Sequence, residues 1–340
     1  MTFGNQEKLG MIVVMGVTGA GKSYLINKLA GRAIVDEGAT LDPCTQNCQL
    51  VPVQIGSSKV LLVDTPGFDD AVRTDSQILS EIAQILSAQY ELGVELKGVI
   101  YVHRITDNRY AGSSVKTFEI FKKICGEKAL ENVLLVTSRW ATVEPDLGAS
   151  RERELKEKFW AYMVARGSKM SRFHGDRNSA VSLASHLLCK DTVVLDLQRE
   201  LIDEGKKLDE TAAGAYVDGN VETLKAKLVD EMASLDRLKR ELAESDRAMR
   251  RQIQKDWSEQ QARLAMAQQE QANLAVPIGG QVQQKLKKKR SALGFFLPFV
   301  PFAVQMIMMF AGIPLPGMDL IMNWASEAGV DTSGGGFFSS

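Results

Sequence analysis

The 340-residue chain has only four cysteines, Cys44, Cys48, Cys125 and Cys189, too few for a disulfide scaffold. Cys44 and Cys48 are spaced CxxxC, but no third cysteine or histidine stands near them. A zinc site therefore lacks its ligands, and both are read as free thiols. No basic-then-apolar leader opens the sequence, and with this cysteine usage a reducing, cytosolic compartment is expected. An excess of one charge is also missing: the formal net charge of -1 argues against a general nucleic-acid binder. Proline and aromatic residues are almost absent between 192 and 276, whereas four of the nine prolines fall within 298–316. The rest, 45% hydrophobic and 24% charged, is the composition of a folded chain with room for one or two domains.

What is present begins with Gly16-Val17-Thr18-Gly19-Ala20-Gly21-Lys22-Ser23, directly after the apolar run Met11 to Met15. A buried strand feeding a glycine-rich loop and then a helix lets successive backbone N–H groups curl around a phosphate. Gly16, Gly19 and Gly21 free the backbone for that curvature. Lys22 supplies a point charge for the β- and γ-phosphates, and the Ser23 hydroxyl is placed to ligate magnesium at a helix start. Thr18 and Ala20 complete the loop, so a nucleoside triphosphate is expected here.

A second motif, Asp64-Thr65-Pro66-Gly67, ends the apolar run Val60 to Val63. An aspartate there holds magnesium through its water shell, and the Gly67 N–H reaches the γ-phosphate, so the loop behind it senses whether that phosphate is present. Between the motifs lies a turn-rich stretch from Asp42 to Cys48. Thr45 is the candidate switch threonine for the magnesium shell, Thr40 the second choice, and a local loop hydrogen bond the competing role.

The first half alternates β-rich runs with amphipathic stretches, the pattern of a mostly parallel α/β sheet. Strands are expected at Met11–Met15, Gln49–Gln54, Val60–Val63, Val99–His103 and Val133–Thr137. Helices are expected at Ser23–Ala30, Asp75–Tyr90, Val115–Cys125, Arg151–Ala165 and Ala180–Leu188. The implied layout is a P-loop domain over 1–190, a helical region over 191–275 and a basic cluster plus apolar tail over 276–340. In the middle region Val221, Leu228, Leu235, Leu242 and Met249 recur every seven residues. Leu224 and Leu238 partly fill a second position that Glu231 and Ser245 interrupt. This fits either a coiled coil or a stripe packed back on the globular domain.

At the far end Lys285, Lys287, Lys288, Lys289 and Arg290 precede Ala292 to Pro316, a run without a charged side chain. It exceeds the ~20 residues a spanning helix needs, although Pro298, Pro301, Pro314 and Pro316 would kink it. A peripheral or tail-anchored position at the cytosolic face of a membrane is expected, the alternative being an apolar segment that covers this or a partner protein.

Together the P-loop, Thr45-Gln46-Asn47-Cys48-Gln49, the DTPG-Phe68-Asp69-Asp70 run and Tyr101-Val102-His103-Arg104-Ile105-Thr106-Asp107 resemble the avirulence-induced, immunity-associated GTPases. The likeness is greatest to the predicted G-domain proteins of that kind in filamentous fungi, and these families are related to septins and chloroplast outer-envelope import GTPases. It covers roughly residues 8–190. The resemblance implies a Ras-like G domain that binds GTP and GDP with Mg2+ and forms a homodimer through its nucleotide face. It also implies helices or a tail directed to membrane or a partner, and hydrolysis completed by an arginine reaching across the dimer. Arg104 and Arg109 lie where the family carries its distinctive box, and no glutamine follows DTPG to orient water. The usual Asn-Lys-x-Asp guanine reader is replaced by Ser138-Arg139-Trp140-Ala141. Ser138, Arg139 and Trp140 are candidate base contacts, Glu144 a substitute carboxylate and Asn178-Ser179-Ala180 the final base loop. GTP preference is thus implied by family rather than by residues. Against slow, magnesium-dependent GTP hydrolysis stands a second reading, a non-hydrolysing nucleotide-gated scaffold that binds GTP or ATP. A third, an ATP-dependent kinase or motor, lacks identifiable lid or acceptor residues.

Overall fold

The computed structural model describes residues 9–35, 47–70, 73–110, 112–241 and 247–293. Strand β1 (Gly10–Gly16) is buried along its whole length, which is why its sequence is continuously apolar rather than alternating. Met11, Val13 and Met15 face one side of the sheet, Ile12 and Val14 the other, as the two-residue repeat of a strand requires. From β1 the chain runs through helix α1 (Lys22–Ala30) to the hairpin of β2 (Gln49–Ile55) and β3 (Ser58–Asp64). Gly56 supplies the positive φ of 62° in its turn.

Next come α2 (Asp75–Glu91), β4 (Glu95–Arg104), α3 (Gly112–Cys125), β5 (Val133–Ser138), α4 (Pro145–Glu154), α5 (Ala161–Ala165), β6 (Lys169–Arg172) and α6 (Arg177–Leu188). The six strands lie in the order β2-β3-β1-β4-β5-β6, with only β2 antiparallel to its neighbour. This mostly parallel sheet between helices, with the glycine-rich loop after its first strand, is the α/β P-loop fold expected from the motifs. The order reverses at β1, because β3 pairs on one side of it and β4 on the other, and ligand crevices of parallel sheets open at the strand C-termini at such a point. The glycine-rich loop sits there.

One stretch departs from expectation. The helix expected over Arg151–Ala165 is broken, because a wide turn over Leu155–Phe159 ends with the Trp160 N–H donating to the Leu155 carbonyl at 2.7 Å. Trp160 takes φ -107° and ψ 0°, and its indole is fully buried beside Tyr101 and Phe118. Burying that ring against the sheet favours the break over a regular helix here. Strand β6, Lys-Met-Ser-Arg, also escapes sequence reading, being a short and partly exposed edge strand.

Beyond α6 the single turn α7 (Asp196–Gln198) precedes the long helices α8 (Ala212–Glu241) and α9 (Arg247–Leu274), then α10 (Ile278–Leu293). Pro277, at the last position before α10, separates it from α9. Helices α8 and α9 pack together, α8 also touches α3, and α9 and α10 touch α2. Ala213, Val217, Leu274, Ile278, Val282 and Leu286 join the apolar cluster on the α2/α3 side of the sheet. A Cβ on Gly279 would meet the Leu201 carbonyl at 2.1 Å, so α10 rests backbone to backbone on the wide turn Arg199–Asp203. Of the heptad stripe, Val221 and Leu228 are buried while Leu224 is exposed. Residues 242–246 and the apolar run from 294 onward lie outside the described residues. Among those described, no helix is long and apolar enough to cross a membrane.

Candidate functional site

The loop between β1 and α1 has a backbone only glycine accommodates. Gly16, Gly19 and Gly21 have φ of 144°, 73° and 92°. A Cβ on Gly16 would lie 2.2 Å from the Val102 carbonyl of β4. Within the curl, Lys22 is only 6% exposed, and its ammonium donates to the carbonyls of Gly16 and Val17 at 3.1 and 3.0 Å. Burial pushes its pKa down, and the nearby carboxylates of Asp64, Asp69 and Asp70 oppose that shift. A buried ammonium whose hydrogen-bond partners are neutral carbonyls keeps its charge available to an anion.

Strand β3 brings the second motif alongside. Val14 and Asp64 are register partners, and the Thr65 hydroxyl donates to the Val14 carbonyl at 2.8 Å. The Ser23 hydroxyl in turn donates to Asp64 Oδ2 at 2.6 Å. This hydroxyl and carboxylate fit the oxygen donors that magnesium takes beside substrate phosphates. Among the described residues no group of three His, Cys, Asp or Glu side chains forms a metal cage of its own.

The DTPG loop lies on the P-loop itself. A Cβ on Gly67 would fall 2.3 Å from both the N and the Oγ1 of Thr18, and the Thr18 N–H donates to Asp69 Oδ1 at 2.7 Å. Glu81 of α2 ties the loop's far end to the start of β2. Its carboxylate accepts from the Cys48 N–H at 2.7 Å and pairs with Arg73 at 2.6 Å. Cys48 is a buried free thiol, pushed well up in pKa by burial and by Glu81. Thr45, Thr40 and Cys44 lie outside the described residues.

Arg104, at the end of β4, comes to the P-loop: its Nη1 is 3.0 Å from where a Gly19 Cβ would stand. It is ion-paired with Asp107. Arg109 is exposed on the wall of a neighbouring cavity of about 250 Å³, shared with His103, Tyr110, Arg151 and Phe159. His103 is 3% exposed; burial pulls its pKa down to about 4, so at neutral pH it is uncharged.

At the end of β5 the expected base contacts each bond to the protein itself. The Ser138 hydroxyl donates to the Ala20 carbonyl at 2.6 Å. Arg139, which takes a φ of 61°, donates to the Gly19 carbonyl through Nε and Nη2 at 3.2 and 3.0 Å. Both side chains therefore hold the P-loop from behind. Trp140 donates back to the Thr137 carbonyl and hydroxyl, and the Arg172 guanidinium lies 4.0 Å from its ring centre. Glu144 caps α4 by accepting from the Leu147 N–H at 2.9 Å. Asp176 caps α6 by accepting from the Ser179 N–H, and Ala180 is fully buried.

The site thus brings together Gly16, Thr18, Gly19, Ala20, Gly21, Lys22, Ser23, Asp64, Gly67, Arg104, Ser138 and Arg139. Among the described residues, Trp140 bonds to Thr137 and packs under Arg172, and Arg109 lines the neighbouring cavity rather than the loop. Asp69, Glu81 and Arg73 were not foreseen as site residues. The paired acids after DTPG were the one available signal for Asp69, whereas Glu81 is legible only once the facing of α2 is known.

The AIG1 family model matches residues 10–152, from β1 into α4. Similar solved structures include Toc33 from Arabidopsis thaliana in complex with Mg2+ and GMPPNP. That match has 17% identity over 54% of this chain and 87% of that one, with a TM-score of 0.44. Toc33 in complex with GDP and Mg2+ matches at 18% identity over 56% and 88%, TM-score 0.44. An Era variant from Aquifex aeolicus bound to GDP and AlF4− matches at 16% identity over 55% and 62%, TM-score 0.40.

Proposed function

We propose that the chain is a magnesium-dependent guanine-nucleotide switch that binds GTP and GDP and hydrolyses GTP slowly. Its G domains pair through the nucleotide face, and its C-terminal part is directed to a membrane or a partner at the cytosolic side. The observation that carries the reading is the Ser23–Asp64 pair at 2.6 Å, set between the buried Lys22 and the DTPG loop. This is the donor set that phosphoryl-transfer switches require. The AIG1 match over residues 10–152 supports guanine as the base.

In this reading Lys22 and the loop amides bind the β- and γ-phosphates. Ser23 and Asp64 hold Mg2+, with Thr45 the remaining candidate, and the ion neutralises charge on the phosphate oxygens. Gly67 senses the terminal phosphate. Arg104 and Arg109 are the guanidinium candidates for charge developing during hydrolysis, and Arg104 already stands against Gly19. Ser138 and Arg139 serve the nucleotide by fixing the P-loop carbonyls.

The second reading, a scaffold that binds nucleotide without turnover, draws on Phe68, which is buried directly after DTPG where a water-orienting group would be needed. Titration of the full chain with fluorescent GTP and ATP analogues, with and without magnesium, tests the proposal. GTP preference that depends on magnesium supports it, and equal ATP binding overturns the guanine assignment. Phosphate release that rises with protein concentration and falls in Arg104→Ala or Arg109→Ala supports paired hydrolysis; nucleotide-dependent pairing without release supports the scaffold.

A further inference from the structure

We propose that Asp69 is a specificity-determining residue, an internal carboxylate that occupies the P-loop amide of Thr18 and must be displaced by a terminal phosphate but not by a diphosphate. The proposal rests on the nucleotide-switch reading above and deepens it. Three observations carry it. Asp69 Oδ1 accepts from the Thr18 N–H at 2.7 Å, joining residues 51 positions apart, and a carboxylate on a backbone N–H is a charge-assisted bond of the kind phosphate oxygens make. Gly67 lies so close to Thr18 that a Cβ would fall 2.3 Å from its N and Oγ1, so the DTPG loop sits directly on the anion-binding loop. Thr18 Oγ1 is buried beside that contact and finds no hydrogen-bond partner among the described residues, a polar atom at the place where Asp69 is docked.

The physics is competition of like charges for one positive environment. The P-loop glycines and Lys22 make that environment, and Asp69 already draws on it. A terminal phosphate arriving next to the DTPG loop meets a fixed negative group, and juxtaposed like charges in a shielded site are strongly unfavourable. A diphosphate stops short of that loop and leaves the Asp69 bond in place. Asp69 therefore lowers affinity for the triphosphate selectively, and its release is what the terminal phosphate does to the DTPG loop. Such a ligand-dependent displacement is the differential interaction a switch needs.

The test uses the full chain, with fluorescent GDP and a fluorescent non-hydrolysable GTP analogue titrated at fixed magnesium into wild type, Asp69→Asn and Asp70→Asn. Asparagine keeps an acceptor for the Thr18 N–H while removing the charge, so the loop contact survives. Asp70 sits one residue on and accepts instead from the Arg73 N–H, which makes its variant a control for general loss of acidity. The expected result is triphosphate affinity about tenfold tighter in Asp69→Asn, with GDP affinity changed by less than about twofold. Asp70→Asn should move the ratio far less. An unchanged ratio in Asp69→Asn, equal shifts for both nucleotides, or the same ratio change in Asp70→Asn overturns the proposal while leaving the switch reading standing. A wild-type chain that binds neither guanine nucleotide overturns the switch reading, and this inference with it.

Discussion

The two sides of the candidate site are built differently. On the phosphate side, at the ends of β1 and β3, polar groups converge on the loop interior: the Lys22 ammonium, the Ser23–Asp64 pair and the amides around Thr18. On the base side, at the ends of β5 and β6, the polar side chains are spent on the protein itself. Ser138 and Arg139 brace the P-loop from outside, Trp140 turns back on Thr137 and takes Arg172 on its face, and Glu144 and Asp176 cap helices. In the proposed reading, phosphate recognition rests on one preshaped loop and its immediate partners, and Ser138 and Arg139 contribute through the shape they give that loop.

Breaking the phosphate side should have the largest effect. Lys22→Ala is expected to weaken binding of any nucleoside triphosphate by roughly a hundredfold or more, the loss of charge-assisted bonds to phosphate. Equilibrium titration checks this, and unchanged affinity would remove Lys22 from the site.

The seam between the two sides, at the end of β4, carries a pH signature. His103 has a folded-state pKa of about 4 against an ordinary 6.5, so the unfolded chain takes up its proton first. Its contribution is full above pH 6.5 and is lost as pH falls toward 4, by about 3 kcal/mol in all. Stability curves from pH 7 to 4 should show this acid-side slope, and His103→Phe, which keeps a ring between Tyr110 and Trp160, should flatten it.

Breaking the brace is the sharper test of the comparison. Ser138→Ala removes a buried bond to the Ala20 carbonyl and should cost about 1–3 kcal/mol of stability. It should lower GTP and ATP affinity by the same factor if the side chain acts by shaping the loop. A change in the GTP-to-ATP ratio would place Ser138 at the base instead. The smallest effect is expected for Glu144→Ala, the loss of one helix cap worth about 1 kcal/mol, with no change in that ratio. A shift toward ATP would mean that Glu144 leaves its cap to read guanine.

Legibility differed with the range of the interactions. The P-loop is contiguous, its glycines are required by local backbone geometry, and the apolar run Met11–Met15 before it predicts a strand. The sheet's strands could be read because both faces are covered and their apolar runs stand out. Strand β6 could not, since Lys169–Arg172 has no apolar pattern and exists only because β5 offers it an edge. The break before Trp160 was hidden for a similar reason: Arg151–Ala165 has acceptable helix formers throughout, and only the buried position for the indole beside Tyr101 and Phe118 interrupts it. The stripe through Val221 and Leu228 allowed two partners from periodicity alone, and in the fold α8 meets both α9 and α3.

By itself the sequence determined the phosphate-binding loop, the strand that delivers Asp64 to it and the mostly parallel α/β class, because each depends on neighbours within a few residues or on uninterrupted apolar runs. Only the tertiary structure decided that Asp69 docks on the Thr18 amide, that Glu81 joins Cys48 to Arg73, and that Ser138 and Arg139 hold the P-loop. Apart from the Arg73–Glu81 pair, these bonds link segments far apart in the chain. Which partner a short polar side chain finds is set by the stacking of β3, β1, β4 and β5 in one sheet, and no local pattern records that order.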